Sequence, residues 1–157
     1  SESNVDALYG GRYKFSIGVP FTTSVAGNAV KENRNGMDSH HDLICVGGDD
    51  IYAATRLIEW KGHRWYQHIY FDSLKAELEN RKFTHRLKEC YDALCFGSEK
   101  VEDASFISKY FKVTAYPKRQ RKIEYIEDAI REHKENNAGW FVLISNDIRD
   151  AAEALLA

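Results

Sequence analysis

The sequence has few of the residues that interrupt or cross-link a chain. It holds two prolines, Pro20 and Pro117, and three cysteines, Cys45, Cys90 and Cys95. The odd cysteine count and the lack of any C-x-x-C pair argue against a disulfide framework and predict reduced thiols in a cytoplasmic protein. No apolar run approaches the roughly 18 residues needed to cross a bilayer, which excludes a membrane-spanning helix, and no membrane partner is expected. No basic-then-apolar leader opens the chain, which also points to the cytoplasm. Low-complexity tracts are absent and 13% of the 157 residues are aromatic, so wholesale disorder is not expected. Three motifs with a known mechanism are missing: the G-x-x-x-x-G-K-[ST] phosphate cradle, the G-x-S-x-G elbow and the H-E-x-x-H zinc helix. An excess of one charge is missing too, with 22 Lys and Arg against 24 Asp and Glu for a net charge of −2. That balance excludes a protein that grips nucleic acid with its whole surface, but it leaves room for a local patch.

The elements that are present alternate between two periods. Residues 2–8 suit a helix that Gly10-Gly11 stops, and Tyr13 to Val19 alternates apolar and polar as a half-buried strand ended by Pro20. Residues 21–41, with Gly27, Gly36 and the Asn33-Arg34-Asn35 cluster, read as an irregular, mobile connection. Asp42 to Val46, a turn at Gly47–Asp50, and two runs, Ile51 to Trp60 and Arg64 to Phe71, around Lys61-Gly62-His63 predict a compact β unit. The period then lengthens. Asp72 caps a predicted helix with Leu74, Leu78, Leu87, Tyr91 and Leu94 on its apolar side, breaking near Phe83-Thr84 and closed by Gly97. A short helix over 102–110, a strand pair about Pro117 and a helix marked by Ile126, Ala129, Ile130 and His133 come next. Trp140 to Ile144 is an unbroken apolar run, expected as a central strand covered on both faces. Asn146-Asp147 caps a last helix, 148–156.

The chemistry on offer is uneven. Asp38-Ser39-His40-His41-Asp42 gathers ligand types suited to zinc or manganese, but adjacent residues rarely share one ion, and a solvated loop accounts for them. The segment 109–122 says more. It carries Lys109, Lys112, Lys118, Arg119, Arg121 and Lys122 without an acid, interleaved with Tyr110, Phe111 and Tyr116. Cations neutralise phosphates and aromatics offer faces to bases, so the segment is a candidate nucleic-acid contact as well as a candidate ordinary hairpin. Arg56, Lys61, His63 and Arg64, with Trp60 and Trp65, form a second, weaker candidate.

Gly139-Trp140-Phe141-Val142-Leu143-Ile144-Ser145-Asn146-Asp147, followed by the alanine-rich stretch 151–157, resembles the segment before the catalytic glutamate in bacterial insertion-sequence transposases of the DDE, RNase H-like superfamily. The nearest group is the family named for insertion sequence four, where a "G-W/Y-F-x-L-L-S/T-N" strand runs into a helix with a Tyr-Arg-Glu-Lys signature. The opening helix and "YKFSIGVP" are similar to the stretch just after the family's second catalytic aspartate. Trp60-Lys61-Gly62, the run from Arg64 to Phe71, and Lys109-Tyr110-Phe111 look like parts of its inserted domain.

The resemblance implies an α/β (α+β) fold in which pieces of an RNase H-like core, 1–20 and 139–157, bracket an insertion domain, 21–138. Ser1 at the start, Met37 as the only methionine, and a last helix running to Ala157 fit a piece of a longer chain. The metal-binding carboxylates of the family would then lie outside 1–157, so Asp49, Asp50 and Asp147 receive no catalytic role and the chain alone is expected to be inert. A divalent cation, magnesium or manganese, is implied for the parent enzyme and none for this stretch. The partners implied are DNA, as transposon ends, and a second copy of the parent. Trp140 matches the family's base-stacking tryptophan; with Lys112, Lys118, Arg119, Arg121, Lys122 and Arg64 it makes up the expected DNA-contacting set. The sequence departs from the family at Gly18, where a DNA-contacting arginine is expected. The alternative is a small, non-enzymatic α+β interaction module.

Overall fold

Five strands build one antiparallel sheet in the computed structural model, which describes residues 2–11, 13–37, 39–97 and 102–157. Its strands are β1 (Ser16–Val19), β2 (Leu43–Val46), β3 (Asp49–Trp60), β4 (His63–Phe71) and β7 (Trp140–Ser145), in the order β1-β7-β4-β3-β2. All pairings among them are antiparallel. β7 lies between β1 and β4, as its unbroken apolar run predicts. The chain divides into two compact units: Ser1–Ser73 with Gly139–Ala157 holds this sheet, and Leu74–Ala138 forms the other. The fold is mixed α+β, the class expected. The β2–β4 strands, which the sequence groups with 21–138, share their sheet with β1 and β7.

Two tight turns set the register of β2–β4. Gly47 and Gly48 (φ 61° and 89°) join β2 to β3, and Lys61 and Gly62 (φ 49° and 76°) join β3 to β4. Positive φ at both central residues matches the right-handed twist of the strands, and glycine adopts it without a Cβ clash. The resulting register puts Trp65, Gln67 and Ile69 on one face of β4, and Tyr66, His68 and Tyr70 on the other.

The first face is covered by a helix that the sequence pattern hides. Residues 21–41 are not an irregular connection, because α2 (Ser24–Asn33) runs through them. The Thr23 hydroxyl caps it by accepting from the Ala26 N–H, and Ala26, Ala29 and Val30 recur on the buried side. Small alanines let the helix lie close to the sheet, where Trp65, Ile69, Trp140, Val142 and Ile144 fill the core. Gln67, fully buried, donates to the Val25 carbonyl at 3.3 Å and accepts from Arg56 Nε at 2.6 Å. Arg56 also pairs with Glu32. α1 (Glu2–Tyr9) reaches the same core through Tyr9, whose ring stacks 4.1 Å from His63.

The opposite face docks the last helix through polar contacts. The hydroxyls of Ser145, Tyr70 and Ser16 donate to the carbonyls of Ile148, Ala151 and Ala154, each at 2.7 Å. The cap expected at Asn146-Asp147 falls later. α6 spans Ala151–Leu156 and Asp150 caps it, accepting from the Glu153 N–H at 2.9 Å. Asn146 instead ties β7 to the approach to β1, accepting from the Phe15 N–H and donating to the Tyr13 carbonyl, both at 3.0 Å. Asp150→Ala should therefore cost about 1 kcal/mol in urea unfolding followed by circular dichroism. Unchanged stability would mean that the three carbonyl contacts hold α6 without its cap.

The second unit is built on α3 (Ser73–Phe96), with α4 (Ala104–Tyr110), β5 (Phe111–Tyr116), β6 (Arg119–Tyr125) and α5 (Glu127–Asn136). α3 runs unbroken through Phe83-Thr84, because Phe83 is buried and anchors the helix there. Leu74 and Leu78, expected on the buried side, are 65% and 50% exposed, and the stripe runs instead through Ala76, Phe83, Leu87, Cys90 and Leu94. Asp103 caps α4 by accepting from the Phe106 N–H. Among the described residues, no helix is long and apolar enough to cross a membrane.

Candidate nucleic-acid interface

Strand alternation sorts the cations of 109–122, which the linear sequence presents as one cluster. β5 and β6 form a two-stranded sheet of their own, with Phe111 opposite Tyr125, Val113 opposite Ile123, and Thr114 opposite Lys122. One face turns Phe111 and Ile123 into the core with Phe83, Leu87, Leu94, Phe106 and Tyr110. Arg121, two residues before Ile123, is on that same face. Its Nε and Nη2 donate to the Leu94 carbonyl at 3.2 and 2.5 Å, so this guanidinium satisfies a carbonyl in the last turn of α3. Arg121 is thereby engaged in holding the unit together.

The outer face carries Lys112 and Lys122, and its chemistry is mixed. Lys112 stands opposite Glu124, and Lys122 Nζ lies 3.3 Å from the Glu124 carboxylate. The tip is more uniform. Pro117 and Lys118 make the connection, the register shifts between Thr114 and Tyr116, and residues 117–122 are all exposed. There the Arg119 guanidinium lies 3.9 Å above the Tyr116 ring, a planar cation on an aromatic face. Neither Lys112, Lys118 nor Arg119 enters an ion pair among the described residues. Lys118 and Arg119 thus share the tip, Lys112 and Lys122 lie on the outer face toward the base, and Lys112, Lys118 and Arg119 are left free to meet an anion.

Arg64 and Trp140 belong to the unit that holds the five-stranded sheet. Arg64 is exposed opposite Glu59 on β3. Trp140 is 6% exposed, its ring 4.8 Å from Phe71 within the sheet core. Stacking of a base on it, as the resemblance implies, requires the ring to leave that packing.

Two histidines that carry no motif in the sequence sit in polar or aromatic surroundings. His68 is fully buried; the Thr55 hydroxyl donates to its Nδ1 at 2.8 Å, and its Nε2–H donates to the Ile148 carbonyl at 2.8 Å. Burial pushes its pKa below the ordinary histidine value, more strongly than the Ile148 carbonyl and the Asp150 carboxylate pull it up. Burial likewise pushes the Tyr70 phenol well above its ordinary range, with Asp150 adding to the effect. His133 stacks 4.0 Å from Phe83 at a concavity of about 240 Å³ lined also by Lys82, Arg86, Phe106 and Tyr110. Burial lowers its pKa, and Lys109 and Arg86 add to the lowering. The available signal was position: His68 lies between Tyr66 and Tyr70 on one strand face, and His133 lies three residues after Ile130.

The Asp38–Asp42 cluster holds no converging ligand set that can be described. Asp38 lies outside the described residues, and the His40 and His41 rings lie tilted 4.0 Å apart on an exposed single turn, 40–42. Among the described residues, no three His, Cys, Asp or Glu side chains are grouped to hold a metal ion. Comparison of the chain with protein-family models, curated proteins and solved structures finds no match.

Proposed function

We propose that this chain is the part of a cut-and-paste DNA transposase that lies between the second catalytic aspartate and the catalytic glutamate. It contributes binding of transposon ends and carries no chemistry of its own. The observation that supports this reading best is the β5–β6 hairpin, whose exposed tip bears Lys118 and a Tyr116-supported Arg119 with no acid beside them. Those groups suit a polyanion with planar bases. The strand-to-helix passage from Gly139 onward, with β7 inside a sheet and α6 docked on it, is compatible with the segment that leads to the glutamate in that family. In such an enzyme a pair of divalent cations activates the nucleophile and stabilises the leaving oxygen. The residues described offer no group for that pair, so no step through a metal is assigned to them. Two copies of the parent would hold two DNA ends.

A non-enzymatic α+β interaction module is the competing reading, and the burial of Trp140 favours it. The flanking reading frame separates the two. The transposase reading expects an aspartate shortly before Ser1 and a Tyr-x-x-Arg-x-x-x-Glu type of helix soon after Ala157. Flanks lacking both contradict it.

A further inference from the structure

Building on the DNA-binding reading, we propose that the β5–β6 hairpin enters the major groove of B-form duplex DNA, where the Arg119 guanidinium donates to the O6 and N7 edge of a guanine. Dimensions select the groove. Paired strands lie about 4.8 Å apart. With side chains along both flanks, such a ribbon fits a groove about 12 Å wide and is refused by one about 6 Å wide. Phe111, Ile123 and Arg121 are held against their own unit, so the free end is the tip, where Thr114 to Tyr116, at about 3.3 Å each, project about 10 Å, against the roughly 8.5 Å depth of the major groove. The tip therefore reaches base edges while Lys112, at the base of the ribbon, stays at the level of the phosphates.

Chemistry selects the residue. Arg119 is exposed, is the first residue of β6, and stands directly opposite Tyr116, whose ring supports it at 3.9 Å. Stacking fixes the plane of the guanidinium and leaves its N–H edge open, so less freedom is lost when two parallel hydrogen bonds form. Two acceptors side by side, as on guanine, match that fork, whereas Lys118 and Lys112 are point charges suited to phosphates. The other guanidinium of the hairpin is occupied, since Arg121 donates to the Leu94 carbonyl. The deep, narrow major groove of duplex RNA would refuse the same ribbon.

The test uses the full chain and a duplex enriched for binding from a random pool, read by fluorescence anisotropy. Replacing its guanines with 7-deazaguanine removes the N7 acceptor and keeps the pairing and the phosphates. The native chain should bind the modified duplex about tenfold more weakly. Arg119→Ala should lose a similar factor on the unmodified duplex and be indifferent to the modification. Because Arg119 is exposed at a turn, this variant keeps the native circular dichroism spectrum. Equal binding of both duplexes by the native chain overturns the groove reading and leaves DNA binding standing. Tighter binding to duplex RNA of the same sequence overturns it too. Absence of binding to any duplex at low salt overturns it together with the DNA-binding reading beneath it.

Discussion

Trp65→Ala is expected to remove about 3–5 kcal/mol of stability, out of a total of about 5–15 kcal/mol for a domain of ordinary stability. Trp65 is fully buried, and its indole N–H donates to the Trp60 carbonyl at 2.9 Å. Tyr9, Phe15, Trp60 and His63 all meet it edge-on, at centroid distances of 5.1, 6.0, 6.2 and 6.4 Å. Truncation therefore leaves a cavity walled by rigid rings, which cannot collapse as flexible aliphatic chains do, and it also removes the indole hydrogen bond to the Trp60 carbonyl. Urea unfolding followed by far-ultraviolet circular dichroism measures the loss, and a chain of low native stability would be unfolded outright. A loss below about 1 kcal/mol would show that α1 and the start of the β3–β4 hairpin contribute little to the core. Arg64→Ala, at the exposed residue next to it in β4, should change stability by less than about 0.5 kcal/mol.

Acidification should weaken the same unit through His68. In the unfolded chain its imidazole titrates near 6.5, and in the native chain burial holds its pKa lower. Between those two values the unfolded state binds a proton that the native state refuses, so stability rises with pH in that window. The contribution is complete above about 6.5 and is lost as pH falls toward the native value, at no more than about 1.4 kcal/mol per pH unit. His133, whose pKa is lowered in the other unit, acts in the same direction. His68→Gln should flatten the pH dependence of the urea midpoint between about 6.5 and 5, above the range where most carboxylates titrate. An unchanged profile in that variant would assign the acid sensitivity elsewhere. Protonation keeps the Nε2–H bond to the Ile148 carbonyl and makes Nδ1 a donor, so the contact it disturbs is the one on β3, where the Thr55 hydroxyl must turn from donor to acceptor.

Where the sequence carries a strict period or a fixed turn chemistry, it dictates the local structure. The β3–β4 hairpin is legible because Gly62 falls between two alternating runs, and β7 is legible because a continuous apolar run needs cover on both faces. α2 is not legible in the same way. Its buried side is Ala26, Ala29 and Val30, whose small side chains raise no hydrophobic signal beside Gly27 and the asparagines. Its cap, Thr23, was the available cue. The leucines of α3 mislead for the opposite reason. Leu74 and Leu78 keep helical spacing but sit where nothing in their own unit covers them, and burial depends on neighbours that a linear pattern does not contain. In the candidate site, a count of cations finds the right segment but not the right residues. Strand alternation turns Arg121 inward to α3, Glu124 answers Lys122 from outside the counted window, and only the paired register reveals Arg119 on Tyr116.

The central claim, that the hairpin is a DNA-contacting surface, is tested most directly by the salt dependence of duplex binding. Each phosphate contact contributes about −0.9 to the slope of log affinity against log salt concentration. The native chain should show a steep slope, and the triple variant Lys112→Gln, Lys118→Gln, Arg119→Gln should lose about 2 from it, one phosphate contact each for Lys112 and Lys118. Arg121 is left in place because it holds the end of α3. No binding of the native chain at low salt, or the same slope in the variant, would contradict the account.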